Sequence, residues 1–248
     1  MSESTSLDNQ VVLVTGAASG IGRQIAIDLC SRKARVAACD KNMDALQELA
    51  KQYPVEVFEV DFTKEDSINS LVSTVEAQLG PLKAVVNCVG ILGKNGEKIE
   101  SLDIDDFDLV YAINLRGAVI LTKAVVSGMA QRGYGRILHI ASISGKEGNP
   151  YLVAYSATKA GLIGMVKSVG KEYATSGVTI NAMAPALIES PMSDSFSEKQ
   201  LALLKSRIPM ERLGKSQEVA DLAAWIISPA CSFTTGFTFD LSGGRATY

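Results

Sequence analysis

Thr15-Gly16-Ala17-Ala18-Ser19-Gly20-Ile21-Gly22 is a glycine-rich stretch that follows an apolar run beginning at Val11. After it, Ile21, Ile25 and Leu29 recur at helical spacing. A strand, a tight turn and a helix N-terminus present unpaired backbone N–H groups and the positive end of a helix dipole to an anion. Gly16 permits the turn, Gly20 lets a pyrophosphate approach, and Gly22 lets the helix pack closely on the sheet. The stretch predicts a dinucleotide-binding turn that also includes Ser19 and Ile21.

The rest of the chain continues this alternation of short apolar runs and longer amphipathic segments. Such alternation is typical of repeated βαβ units around a parallel sheet. The predicted strands are Val11 to Thr15, Arg35 to Cys39, Val55 to Val60, Ala84 to Val89, Arg136 to Ala141, Val178 to Met183 and Phe237 to Leu241. We therefore predict an α/β Rossmann fold in one domain, residues 1–248, with a doubly wound, seven-stranded parallel sheet and helices on both faces.

The composition favours a small-molecule partner. The 248 residues are 47% hydrophobic and 21% charged, with 24 basic against 27 acidic side chains and a net charge of -3. No global field draws such a chain to nucleic acid or anionic lipid. No apolar stretch approaches the ~20 residues that span a bilayer, and residues 1–9 form a polar arm without the features of a leader. The chain is expected to be cytoplasmic.

The cysteines and the single histidine show no metal-site pattern. Cys30, Cys39, Cys88 and Cys231 are scattered without CxxC pairing, which predicts buried thiols rather than a zinc or disulfide framework. His139 lies inside a predicted strand and is assigned a structural role. No metal is expected.

One segment interrupts the rhythm of strands and helices. Residues 185–215 form a connection of about thirty residues, longer than an ordinary βα loop. Because inserts at the carboxyl ends of strands usually shape a ligand site, this one is predicted to cover the substrate. The alternative is a packed surface excursion. Trp225, on the following helix pattern, is expected in the core or at an interface.

Asp40 ends the second predicted strand, eighteen residues beyond Gly22. A carboxylate there can accept hydrogen bonds from both ribose hydroxyls and would repel a 2′-phosphate. The predicted cofactor is NAD. The neighbouring Lys41 is the feature that favours NADP, and the alternative role for Asp40 is to cap the next helix.

Tyr155-Ser156-Ala157-Thr158-Lys159 opens a long helix pattern. The spacing of four places the phenol and the ammonium on one face, about one turn apart. An adjacent cation favours the phenolate and lowers the pKa of Tyr155 from about 10. Tyr155 is therefore a candidate general acid/base.

With these motifs in order, the chain resembles the short-chain dehydrogenase/reductase family over nearly all of its length. The TGxxxGIG turn is Thr15 to Gly22, the acid after the third strand is Asp61, and YxxxK is Tyr155 to Lys159. Asn114 and Ser142 match the remaining members of the family's catalytic tetrad. The NNAG motif is reduced to Asn87-Cys88-Val89-Gly90, and PGxIxT appears as Pro185-Ala186-Leu187-Ile188-Glu189-Ser190.

The resemblance implies a role for each matched residue. Ser142 would bind the reacting oxygen and Tyr155 would remove the alcohol proton, while Lys159 would lower the pKa of Tyr155 and hold the ribose. Asn114 would support a water through which the proton leaves. The resemblance also implies a homotetramer, and it implies further cofactor contacts at Asp61, Phe62, Asn87, Gly90, Pro185, Ile188 and Ser190.

Within the family, the segment after Ser142 and the C-terminal tail resemble those of 2-keto-3-deoxy-L-rhamnonate or 2-keto-3-deoxy-L-fuconate dehydrogenases. The predicted substrate contacts are Ser142, Lys146, Asn149, Tyr155 and Arg245, with Arg245 ranked first for a carboxylate because of its bidentate fork. Three alternatives remain: a 3-oxoacyl-[acyl-carrier-protein] reductase, another secondary-alcohol dehydrogenase, and a non-catalytic NAD-binding protein.

Overall fold

A parallel sheet of seven strands runs through the computed structural model, which describes residues 5–190, 193, 197–246 and 248. The spatial order is β3-β2-β1-β4-β5-β6-β7. This confirms the predicted fold class and strand number, with boundary differences of one or two residues. The strands are β1 (Val11–Thr15), β2 (Arg35–Asp40), β3 (Val55–Glu59), β4 (Ala84–Asn87), β5 (Gly135–Ile140), β6 (Val178–Pro185) and β7 (Thr238–Leu241).

Helices cover both faces of the sheet because its strands are apolar on both sides. Ile25, Leu46 and Val219 pack against one face, and Ile68 and Leu121 pack against the other. The helices are α1 (Gly20–Ser31), α2 (Met43–Gln52), α3 (Glu65–Leu79), α4 (Ile104–Tyr111), α5 (Gly117–Gln131), α6 (Ile143–Glu147), α7 (Val153–Glu172), α8 (Glu198–Lys205) and α9 (Ser216–Ile226).

The chain changes its direction of winding between β1 and β4. These strands are neighbours in the sheet, with Thr15 paired to Asn87 at their carboxyl ends. In an open α/β sheet, a crevice forms outside the carboxyl ends of the strands at such a switch point, and ligands bind there. The glycine-rich turn after Thr15 lies at this position.

A π-helical turn, Ala112–Arg116, joins α4 to α5 and places the predicted catalytic Asn114 in its middle. Single π turns inside helices are frequently found at functional sites. The combined helix, Ile104–Gln131, is long and apolar enough to cross a membrane by length and composition, and its most apolar 18-residue window has a mean hydropathy of 1.6. Half of its most apolar window is buried, as in a core helix of a folded domain.

The structure adds detail to two predicted segments, the N-terminal arm at residues 1–9 and the insert at residues 185–215. Leu7 is 1% exposed and packs in the core, so the end of the 1–9 arm belongs to the fold; residues 1–4 lie outside the described residues. The two ends of the 185–215 insert meet where Ile188 pairs with Gly214. Its residues 191, 192 and 194–196 are not described, so the covering role stays a prediction. Trp225 is 40% exposed, which excludes it from the core.

Candidate active site

The glycine-rich turn has the geometry that a bound diphosphate requires. Gly16 and Gly20 have φ values of 67° and 53°, in the left-handed region that favours glycine. A Cβ on Gly22 would lie 2.2 Å from the carbonyl oxygen of Gly16, so a side chain cannot fit there. Since the first turn of α1 has no acidic side chain and Ser19 does not cap it, its N-terminal N–H groups remain available to an anion.

A cavity of about 360 Å³ opens beside this turn. It joins the turn to the segment after β6, because Ser190 and Glu189 line it together with Ser19. Arg23, one turn into α1, also lines it, and sequence reasoning missed this cation although its position after Gly22 was visible. The lining residues are Ala18, Ser19, Gly20, Arg23, Gln24, Glu189, Ser190 and Ser216.

Asp40 faces the glycine-rich turn. Its carboxylate accepts hydrogen bonds from the backbone N–H groups of Ala18, at 3.3 Å, and Asn42, at 3.0 Å. The N-cap of α2 is Asn42, whose side chain accepts from the N–H of Ala45. The alternative role of Asp40 as the helix cap is therefore wrong. Lys41 is exposed.

Asp61 and Phe62, the residues predicted to contact the adenine, make contacts within the chain. Asp61 accepts from the N–H and hydroxyl of Thr63 and forms an ion pair with Lys64 at 3.1 Å. The Thr63 hydrogen bonds are the main reason why the pKa of Asp61 falls to about 2. Phe62 is buried and packs beside Gly117. A contact of Asp61 or Phe62 with the cofactor remains a prediction.

Asn87 belongs to a buried line of hydrogen bonds that crosses the sheet. Thr15 donates its hydroxyl to Oδ1 of Asn87 at 2.6 Å, and Nδ2 of Asn87 lies 3.1 Å from Nδ1 of His139. Nε2 of His139 lies 3.0 Å from the hydroxyl of Thr122. Both ends of the Asn87 amide are thus used inside the chain, and a contact of Asn87 with the cofactor stays a prediction. The structural role assigned to His139 agrees with these contacts, and burial lowers its pKa to about 3.

Ser142, Tyr155 and Lys159 converge at the carboxyl end of β5. Ser142 is the N-cap of α6, where its Oγ accepts from the N–H of Ser144 at 3.1 Å, and it is hydrogen-bonded to the side chain of Tyr155. Nζ of Lys159 lies 5.7 Å from the centre of the Tyr155 ring and donates to the carbonyl of Ile140 at 2.7 Å. A Cβ on Gly90 would lie 3.1 Å from that Nζ, so glycine keeps room for the lysine.

Asn114 braces the loop after β4. Its Oδ1 accepts from the N–H of Ile91 at 2.8 Å, and its Nδ2 donates to the Ile91 carbonyl at 2.9 Å. Nδ2 also lies 3.3 Å from the hydroxyl of Thr158, on the helix that carries Tyr155 and Lys159. Sequence reasoning missed Ile140 and Thr158 because their contacts depend on how β5 and α7 pack. The water-supporting role of Asn114 stays a prediction.

The direction of the Tyr155 pKa differs from the sequence prediction. Burial raises the pKa of Tyr155, and the hydrogen bond with Ser142 acts in the opposite direction. The reason is geometric, since the Lys159 ammonium faces the ring and bonds to a backbone carbonyl. Burial also lowers the pKa of Lys159 from 10.5 to about 8. The phenol of Tyr155 and the amine of Lys159 are therefore both removed from bulk water in part.

Replacing Lys159 by methionine should make the fold more stable, although it removes the ammonium from the candidate active site. A lysine with a folded pKa of about 8 against 10.5 unfolded destabilises the native state below pH 8, and this penalty disappears as the pH rises to 10.5. Allowing for the lost bond to Ile140, we expect Lys159→Met to raise the free energy of unfolding at pH 7 by about 2 kcal/mol. Urea unfolding at pH 7 and pH 10 measures this, with the exposed Lys171→Met on the same helix as control. A less stable Lys159→Met protein at pH 7 would contradict it.

The residues predicted to bind the substrate carboxylate are paired within the chain. Nζ of Lys146 lies 3.1 Å from Asp240, and the guanidinium of Arg245 lies 2.8 Å from Glu147 and 3.1 Å from Oδ1 of Asn149. The side chains of Lys146 and Arg245 are 6% and 8% exposed. Lys146 and Arg245 are thus both paired inside the chain, and their contact with a substrate carboxylate stays a prediction.

The segment after β6 places Ser190 beside the glycine-rich turn. A Cβ on Gly20 would lie 3.9 Å from the Cβ of Ser190. Ile188 is 4% exposed, and Pro185 ends β6. Of the three predicted contacts in this segment, Ser190 is the one that lines the cavity. Among the described residues no group of three or more His, Cys, Asp and Glu side chains could hold a metal ion.

Comparison with protein families and curated proteins gives full-length matches. A family model described as enoyl-(acyl carrier protein) reductase matches residues 16–246. The chain is 41% identical, over 95% of each sequence, to a 2-dehydro-3-deoxy-L-rhamnonate dehydrogenase (NAD(+)) of Sphingomonas sp. (strain SKA58). It is 35% identical to a 3-oxoacyl-[acyl-carrier-protein] reductase FabG of Thermotoga maritima, over 96% of this chain and 98% of that one.

Among solved structures, the fold superposes closely on a variant of actinorhodin polyketide ketoreductase with NADPH. The TM-score is 0.90 at 32% identity, covering 97% of this chain and 98% of the other. A second structure, of a protein called gox2181, gives a TM-score of 0.92 at 30% identity, with 98% of both chains covered.

Proposed function

The chain belongs to the short-chain dehydrogenase/reductase family, and from that membership we propose that it is an NAD-dependent dehydrogenase that oxidises the secondary alcohol of a 2-keto-3-deoxy sugar acid. The observation that carries the reaction type is the convergence of Ser142, Tyr155 and Lys159 at the carboxyl end of β5. A non-catalytic NAD-binding protein would not need this arrangement.

In the proposed reaction, the chain's own residues manage the proton and the developing charge. Bound NAD would accept hydride from the carbinol carbon. The hydroxyl of Ser142 would donate a hydrogen bond to the reacting oxygen, and the phenolate of Tyr155 would take the proton of the alcohol. The ammonium of Lys159, which the Ile140 carbonyl holds beside the Tyr155 ring, would offset part of the cost of that phenolate as its charge forms. Asn114 fixes the loop beside Gly90.

The cofactor site fits NAD. Gly16, Gly20 and Gly22 leave the turn open to a diphosphate, and the Asp40 carboxylate faces that turn. A 2′-phosphate would meet this carboxylate at close range and be repelled. Arg23 is the cation that could bind the 2′-phosphate of NADP. It lines the cavity together with Ser19 and Ser190.

Asp40→Ala should narrow the preference for NAD over NADP by about tenfold, because the substitution removes the repulsive charge. The ratio of kcat/KM for the two cofactors measures it. Asp44→Ala, which removes an exposed acid from the first turn of α2, is the matched control and should leave the ratio unchanged. Equal use of both cofactors by the unmodified protein would show that Lys41 or Arg23 governs the pocket.

The substrate class is supported by the sugar-acid relative and by the tail and loop that the sequence shares with such enzymes. A 3-oxoacyl-[acyl-carrier-protein] reductase is the second candidate, favoured by the FabG relative at 35% identity. Ser176, before Gly177, stands where such reductases commonly place a basic residue for their acidic carrier. Purified protein assayed with NAD against deoxy sugar acids, neutral secondary alcohols and 3-hydroxyacyl thioesters tests the proposal, and preferential use of the thioesters would replace it.

We also propose a cytoplasmic homotetramer. Phe233, Phe237 and Trp225 expose aromatic surface beside the edge strand β7, and Leu109 and Val119 expose apolar surface along α4 and α5. Exposed apolar patches of this kind are typical of interfaces. Sedimentation equilibrium at micromolar concentration tests the assembly, and a monomer would overturn it. Fractionation of the source cells tests the compartment.

A further inference from the structure

The C-terminal tail, residues 242–248, contacts the short segment that carries Ser142. Arg245 donates through Nε and one terminal nitrogen to the same oxygen of Glu147, at 3.0 and 2.8 Å. Lys146 pairs with Asp240 at the end of β7, and the hydroxyl of Tyr248 donates to the carbonyl of Lys146. Lys146 and Glu147 of α6 therefore connect this short helix to the end of β7 and to the tail.

Asn149 continues these contacts towards the reacting groups. Its Oδ1 accepts from Arg245, and its Nδ2 donates to the hydroxyl of Ser144 at 2.6 Å. Its backbone N–H donates to the hydroxyl of Ser156, next to Tyr155 on α7, at 3.1 Å. Ser144 in turn donates its N–H to Oγ of Ser142 at 3.1 Å. Asn149 thus joins the tail, the helix capped by Ser142 and the helix that carries Tyr155.

We propose that Arg245 is a positioning residue that sets the place of Ser142 through Glu147, Asn149 and Ser144, and that it does not contact the substrate. The inference rests on the proposed oxidoreductase function. Its physical basis is that the guanidinium is nearly buried and already bound to one carboxylate. Presenting the fork to a second anion would require breaking that pair, and separating a partly buried pair leaves an uncompensated charge. A single hydroxyl displaced by about 1 Å is enough to slow a reaction strongly.

The positioning role predicts that Arg245→Ala and Glu147→Ala have similar effects. Each should lower kcat about tenfold and leave KM for NAD unchanged, and the double variant should be no slower than either single variant. Arg245→Lys should recover part of kcat because it keeps the charge beside Glu147. Arg132→Ala, which removes a comparable pair with Glu76 at the opposite end of the sheet, is the matched control and should leave kcat unchanged.

Two outcomes would overturn the proposal. If Arg245→Ala raises KM for a sugar acid far more than for a neutral alcohol while Glu147→Ala does not, Arg245 binds the substrate. Alternatively, equal hydrogen exchange of the 143–149 amides in Arg245→Ala and unmodified protein would show that the tail does not hold α6; we expect faster exchange in the variant. Because exchange needs no turnover, it tests the tail even if the protein oxidises no alcohol, whereas inactivity of the unmodified protein would count against the proposed function alone.

Discussion

Tyr155→Phe should reduce turnover by about 10³-fold while NAD binds almost as tightly as before. The substitution removes one oxygen from a partly buried ring and leaves Lys159 and Ser142 in place. Since that oxygen is the atom proposed to take the alcohol proton, its loss acts on the chemical step. Steady-state kcat and the quench of protein fluorescence by NADH measure the two quantities separately.

The control for this experiment is Tyr173→Phe, at the C-cap of the same helix α7. It removes an equivalent hydroxyl at the far end of the helix and should leave both quantities unchanged. Turnover within tenfold of the unmodified protein in Tyr155→Phe would remove Tyr155 as the acid/base. The proton acceptor would then have to be sought among the other polar groups near the carboxyl end of β5.

Gly22→Ala should abolish NAD binding and destabilise the fold by about 3 kcal/mol. The added Cβ would lie 2.2 Å from the carbonyl oxygen of Gly16 and 3.2 Å from the Cβ of Cys88, so the turn or α1 must move away from the sheet. That movement displaces the N–H groups intended for the diphosphate. Chemical unfolding and titration with NADH measure the two effects.

Gly164→Ala is the matched control, because a Cβ there meets nothing within 4 Å and the residue lies inside α7. It should raise stability by about 0.5–1 kcal/mol through helix propensity alone and leave NAD binding intact. A Gly22→Ala protein that binds NADH with unchanged affinity would show that the turn adapts. The close approach of α1 to the sheet would then not be needed for the cofactor.

Local patterns were sufficient for the fold and for placing Tyr155 and Lys159 on one helix. The strand Val11–Thr15, the glycine turn and the α1 stripe are encoded in adjacent positions, so the βαβ unit and the place of Asp40 follow from the sequence. The spacing of Tyr155 and Lys159 is likewise fixed by one helix. The structure confirms the parallel sheet and its strand number.

What could not be predicted depends on contacts between distant parts of the chain. Arg245 and Glu147 are 98 positions apart, and nothing local shows that the tail folds back onto its own α6. The direction of the Tyr155 pKa depends on burial and on the Ile140 carbonyl, which draws the Lys159 ammonium to itself. The π turn at Asn114 lies within an apolar helix pattern, and that pattern does not distinguish a π turn from a regular α-helix.

The buried line from Thr15 to Thr122 has a single polarity. Thr15 donates to Asn87, whose amide N–H donates to Nδ1 of His139; Nε2–H of His139 therefore donates to Thr122, whose hydroxyl donates to the carbonyl of Ala118 at 2.8 Å. Asn87, His139 and Thr122 each accept a hydrogen bond from the group before them and donate one to the group after them. If His139 were protonated, its Nδ1–H would face the N–H of Asn87, and two donors would meet. Protonation of His139 therefore requires these hydrogen bonds to change direction.

This polarity makes the centre of the sheet sensitive to acid. With a folded pKa of about 3 against 6.5 unfolded, His139 contributes stability that is present above pH 6.5 and is lost progressively as the pH falls towards 3. Because Thr15 and Asn87 end the strands β1 and β4 at the switch point, we expect protonation of His139 to loosen the sheet beside the glycine-rich turn. Because a bound cofactor stabilises the folded state, it should shift acid unfolding to lower pH.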